Sequence, residues 1–146
     1  MKKFTNYKLL FLTIIILEIL IHYLNYKNNF SFFIYYQVII NNKKEFNEHI
    51  SLINNSSKKK NIKNYVLFLD IFSRFLITIL LLKLNFINPI YLYILYTSEF
   101  FETLIYYLFI NNIIIVNNNN FITFKILNTI KYILFFFVLF QFLFKL

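Results

Sequence analysis

The stretch "YILYTSEFFETLIYYLF", residues 93–109, sets Glu99 and Glu102 three positions apart among apolar and aromatic side chains. Two carboxylates at that spacing lie on nearly one face of a helix, where they can carry a proton or grip a partner helix. Neither has a basic residue within one turn, so the charge must be met by a base on another helix or chain, by water, or by a proton. Two further polar pairs share helical spacing. Glu18 and His22 stand four apart, fit for a proton relay or for a local hydrogen-bonded pair. Asp70 and Arg74 stand four apart with opposite signs, as a helix-internal ion pair that neutralises both before they enter lipid. The residue types for a self-sufficient catalytic centre are missing: cysteine is absent, and His22 and His49 alone cannot supply a metal cluster or two axial haem ligands within a membrane. We therefore expect no catalytic, cofactor-binding or metal-binding residues and no cofactor.

The elements that must position these pairs are apolar runs. A chain of 146 residues suits one domain, here 1–146, and 60% of it is hydrophobic. Crossing a bilayer core of roughly 30 Å takes about 20 such residues in a row as helix. Four stretches fit, at about 9–26, 64–84, 89–116 and 121–145. The first follows Lys2, Lys3 and Lys8, and without a small-residue cleavage site it is expected to stay as an anchor. The third opens on Pro89, which suits the first turn of a helix. Runs such as "FLITILLL" and "YILFFFVLF" leave no room for the polar stripe of a water-soluble helix, nor do they alternate as barrel strands do. A lone strand in lipid leaves its backbone groups unsatisfied, so the fold class is all-α, an integral membrane protein with about four transmembrane helices.

Between the first two runs, residues 30–40 are apolar but too short to span, and read as an interfacial or re-entrant segment. Residues 41–63 read as a basic, water-facing polar loop, with Lys43, Lys44, Lys58, Lys59, Lys60 and Lys63 against Glu45 and Glu48. The formal net charge of +9 is placed beside apolar runs rather than on one face, which argues against nucleic acid. Lysines so placed set topology, and Lys58, Lys59 and Lys60 are candidate contacts for anionic lipids such as cardiolipin. Four spans put the amino terminus and the basic loop on opposite sides.

Gly, Ala, Cys and Trp are absent while Asn, Lys, Ile and Phe abound, a bias expected of a very A/T-rich coding sequence. Small and hydrophobic, opening on Met with no Arg-rich amphipathic presequence, the chain resembles the divergent mitochondrially encoded membrane proteins of ciliates. Over residues 70–109, "LYTSEFFETLIYYLF" together with Asp70 and Arg74 resembles cytochrome c oxidase subunit III, with Glu99 at that family's membrane glutamate. The signature's Trp, Gly and His are missing here, and that family's usual seven spans exceed four. Residues 64–145 also resemble the smallest proton-path subunit of complex I, three short helices with a glutamate in the middle one. That family's second glutamate has no counterpart; Gln141 is the nearest polar residue. These resemblances imply a multi-span structural or assembly subunit of a respiratory-chain complex in the mitochondrial inner membrane, partnered by other membrane subunits. The alternatives are a proton-path subunit of such a complex and an unrelated membrane protein of an A/T-rich endosymbiont or parasite.

Overall fold

In a computed structural model of the chain, residues 2–28, 30, 43–84 and 88–145 are described, and every regular element among them is an α-helix. We number these α1 (Lys2–Lys27), α2 (Lys43–Asn54), α3 (Ser57–Leu84), α4 (Pro89–Ile110) and α5 (Asn118–Lys145). The expected interfacial segment at 30–40 lies, apart from Phe30, outside the described residues.

Local chemistry sets the helix ends. Asn88 caps α4, its side chain accepting from Ile90 N at 3.1 Å ahead of Pro89, whose fixed φ suits the first turn. The helix stops at Ile110 rather than at 116, because Asn112 takes φ 57°, the left-handed region that Asn tolerates better than β-branched residues. Asn117 Oδ1 accepts from Asn120 N at 2.8 Å and starts α5 three residues before the apolar run. Ser57 begins α3 about two turns ahead of residue 64, carrying Lys58, Lys59 and Lys60 in its first turn.

The four long helices run up and down. Glu18 meets Ser73 while Asn25 meets Lys63, so α1 and α3 are antiparallel. Asn64 faces Asn111 and Phe75 faces Tyr96, which makes α3 and α4 antiparallel. Glu102 faces Lys131 and Tyr91 faces Phe137, and α4 and α5 follow the same rule. Packing proceeds from α1 to α3 to α4 to α5, and α2 lies against α3 and α4. The segment expected as a polar loop is therefore a capping helix joined to the first turns of α3. Phe46, His49, Ile50 and Ile53 are its buried stripe, with Phe46 set against Tyr106, Phe109, Phe121 and Phe124.

Burial is inverted relative to a protein in water. Phe68 is 65% exposed and Ile133 64%, while Lys63 is 1% exposed and Glu102 0%. Apolar side chains on the outside and charges within are favourable only where the surrounding solvent is itself apolar. The chain is an all-α membrane protein, and α1, α3 and α5 carry the stretches long and apolar enough to cross, Tyr7–Lys27, Ser57–Leu84 and Asn118–Gln141. At 22 residues α4 is also long enough, about 33 Å. Its glutamates and tyrosines lower its hydropathy, and its position between α3 and α5 turns Glu99 and Glu102 toward those helices.

Candidate functional site

Arg74 is the hub. Its guanidinium offers five donors in a fixed plane, and it lies within reach of carboxylates from three helices. Nε is 3.4 Å from Asp70 Oδ1 one turn back on α3 and 3.2 Å from Glu99 Oε1 on α4, and Nη1 is 3.7 Å from Glu18 Oε1 on α1. Ser73 Oγ donates to the same Glu18 oxygen at 2.7 Å. On the other flank of α4, the Lys131 ammonium of α5 lies 2.5 Å from Glu102 Oε2. Helical spacing explains the split. Glu99 and Glu102 lie about 60° apart around α4, near one face but turned enough for one to meet α3 and the other α5.

The set stands at mid-depth, because Glu99 is ten residues from Pro89 and eleven from Ile110, about 15 Å from either end of α4. Beside it lies a cavity of about 270 Å³ between α3, α4 and α5. Asp70, Arg74, Glu99 and Lys131 form its polar end, while Leu81, Leu92 and Val138 extend it toward the α3–α4 turn. Four carboxylates face two cations, which leaves a formal charge of −2. Such a network can lock helices in register, and it can take up protons to approach neutrality.

The basic partners that Glu99 and Glu102 require come from this same chain, from α3 and α5. Asp70 and Arg74 do meet one turn apart, but Arg74 is shared among three carboxylates rather than held as a self-contained pair. Glu18 turns to Ser73 and Arg74 on α3, whereas His22, one turn further on, lies on the exposed side of α1. Ser98 Oγ donates to its own helix at Leu95 O, 2.8 Å, rather than to a glutamate. Lys58 and Lys59 are exposed and Lys60 half-buried at the α2 end of the bundle.

Lys131 follows the start of the apolar run at 121 by ten residues. It is thirteen residues into α5, about 20 Å from Asn118, and that depth is the signal that it needs an internal acid. A second polar cluster was hidden by reading 41–63 as loop. His49 Nε2 lies 2.7 Å from Tyr106 Oη, and the two rings stack. Lys63 Nζ donates to Asn25 Oδ1 at 3.4 Å and sits 5.1 Å and 5.7 Å from the ring centres of Phe30 and Tyr106. Burial, reinforced by the neighbouring Lys63 charge, lowers the His49 pKa to about 4, so the imidazole is neutral at pH 7.

The chain was compared with protein families, with curated proteins and with solved structures. No family model, curated protein or solved structure matches it. Among the described residues no group of three or more His, Cys, Asp or Glu could hold a metal ion.

Proposed function

We propose that the chain is a multi-span structural subunit of a respiratory-chain complex in the mitochondrial inner membrane. The observation that carries this reading is the division between a bulky apolar exterior and an ion-paired interior. Phe68, Phe72, Ile126, Ile133, Phe136 and Phe140 face outward, whereas the charges that hold the helices together face inward. Large aromatic and branched side chains fill the irregular spaces between subunits and lipid, and the internal ion pairs keep the helices in one register while they do so. The coding bias and the resemblance to ciliate mitochondrial proteins supply the compartment. Lys58, Lys59 and Lys60, in the first turn of α3, supply the positive charge that headgroups of anionic lipids such as cardiolipin would recognise. Purification of the native assembly by a tag on this chain tests the reading. Co-purification of respiratory subunits in fixed stoichiometry is expected. Recovery of the chain alone, or with unrelated membrane proteins, overturns it.

A second reading is favoured by one observation, the excess of carboxylates around Arg74. On that reading the subunit takes part in proton movement through the complex. Glu99→Gln and Glu102→Gln keep shape and remove titration. Normal assembly with lost pumping supports this reading, and normal pumping with both substitutions overturns it.

A further inference from the structure

Glu102 combines two properties that packing alone does not require. It is fully buried, and its Oε1 has no hydrogen-bond partner although Oε2 meets Lys131. A bare carboxylate oxygen in an apolar bundle is destabilising when ionised, and a proton bound there removes the charge and turns an orphan acceptor into a donor. The charges around it do not offset it. From α1 comes Glu18, from α3 Asp70 and Arg74, from α4 itself Glu99, and from α5 Lys131, with the Tyr132 phenol lining the same cavity. Lys63, two turns from Asp70, adds one further positive charge at a distance, and the total is still −1. The set reaches neutrality only when a carboxylate is protonated.

The two halves of the bundle offer this site different surroundings. Toward the α3–α4 turn, Thr78, whose hydroxyl donates to Arg74 O, and Tyr96 line the cavity within one turn of the cluster, and beyond them it continues between Leu81, Leu92 and Val138, which provide no hydrogen-bonding side chain. Toward α2, the polar groups continue at helical spacing. Thr103 follows Glu102 directly, Asn128 lies one turn from Lys131, and Tyr106 lies one turn from Glu102; all three are buried. Tyr106 Oη then meets His49 Nε2 in the capping helix at 2.7 Å. This polar file ends where the basic first turn of α3 meets solvent.

We propose that Glu102 and Glu99 form a proton-binding site at mid-depth in the bundle, and that its proton exchanges with the α2 side of the membrane through Tyr106 and His49. The step is balanced. A proton entering at His49 displaces one toward Tyr106, the phenol accepts it and releases its own hydrogen toward Glu102, and neither ring keeps a net charge. Tyr106 lies one turn of α4 from Glu102, a rise of about 6 Å along the helix axis, and bridging water would complete the path between their oxygens. This deepens the proton reading of the site by naming the carrier and the side of access, and it does not require the complex to pump.

The test uses the full chain in lipid nanodiscs and infrared spectroscopy. At neutral pH the wild type should show the C=O stretch of a protonated carboxylic acid, reduced or abolished in Glu102→Gln or Glu99→Gln. Its absence from the wild type overturns the proposal without any variant having to fold. Transfer to D₂O then measures access. In Tyr106→Phe the band should persist while its deuterium shift slows by about tenfold or more, and in Leu92→Phe, which narrows the cavity, the rate should stay as in the wild type. Slowing in Leu92→Phe but not in Tyr106→Phe places access on the cavity side and overturns the route. A protonated band in the wild type alongside normal pumping by both glutamine variants in the native complex keeps the proton site and removes the pumping reading.

Discussion

At mid-depth, Arg74 is shared by Glu18, Asp70 and Glu99; at the α2 end, the Lys63 ammonium rests on an amide oxygen and two aromatic rings. Lys63 is fully buried while Arg74 is about one third exposed, and the two clusters manage charge differently. The midplane cluster brings opposite charges together from three helices, so Glu18 and Glu99 depend on a partner far away in sequence. The end cluster relies on a dipole, ring faces and a histidine kept neutral by burial. One arrangement is strong and unforgiving, because removing a partner strands a charge. The other loses a hydrogen bond at a time.

The largest expected break is therefore at the hub. Arg74→Leu strands three carboxylates, and loss of one partner of a buried ion pair costs about 3–5 kcal/mol. For an isolated Asp70–Arg74 pair, the double change to leucine would restore most of that loss. Because Glu18 and Glu99 also depend on Arg74, Asp70→Leu/Arg74→Leu should remain nearly as unstable as Arg74→Leu alone. Unfolding midpoints of the three variants in mild detergent check this, and recovery in the double variant would mean that Arg74 serves Asp70 only.

At the other cluster the expected break comes with pH. The folded His49 pKa of about 4 lies below the ordinary 6.5, so between these values the unfolded chain binds the extra proton. Stability from this residue is thus fully present above pH 6.5 and falls as pH drops toward 4, by about 3 kcal/mol in total. Below pH 4 it no longer changes. His49→Gln should flatten that part of the profile in a denaturation series, while a slope that survives the substitution would assign it to another group.

Ser73→Ala is expected to act more mildly than Arg74→Leu. It removes the 2.7 Å hydroxyl donor to Glu18 but leaves Arg74 in place. Hydrogen bonds to charged groups contribute about 1.5–3 kcal/mol, and a loss near 2 kcal/mol in the detergent melt would show that Glu18 draws on both donors. No measurable loss would mean that Arg74 alone suffices for it.

How far the sequence discloses these clusters follows from the range of the interactions. Apolar runs longer than a bilayer is thick are local signals, and the all-α membrane fold is legible from them. Asp70 and Arg74 are legible as neighbours because four residues make one helical turn. The reach of Arg74 to Glu18 and Glu99 is not, since it depends on the order in which helices pack. Lysine at 131 carried a readable depth signal. His49 did not, because "KKEFNEHISLIN" is polar enough to pass for a loop until its Phe46, His49, Ile50, Ile53 stripe is seen on one face. The end of α4 was obscured for a different reason: residues 111–116 include three isoleucines and a valine, and the backbone turn at Asn112 overrides that hydropathy.

The smallest expected effect separates hydrogen bonding from burial within the end cluster. Tyr106→Phe removes the hydroxyl that meets His49 while keeping the ring that packs against Phe46 and Phe124. A neutral hydrogen bond contributes about 1 kcal/mol, so the melting midpoint should drop slightly. The pH profile should respond differently. Desolvation is the main cause of the low His49 pKa and the Lys63 charge the second, and neither depends on the Tyr106 hydroxyl. The decline in stability from pH 6.5 to 4 should therefore persist in Tyr106→Phe with nearly its full amplitude, displaced downward by the lost hydrogen bond. If the decline disappears instead, the phenol rather than burial keeps the imidazole neutral. The end cluster would then depend on a specific partner in the way the Arg74 cluster does.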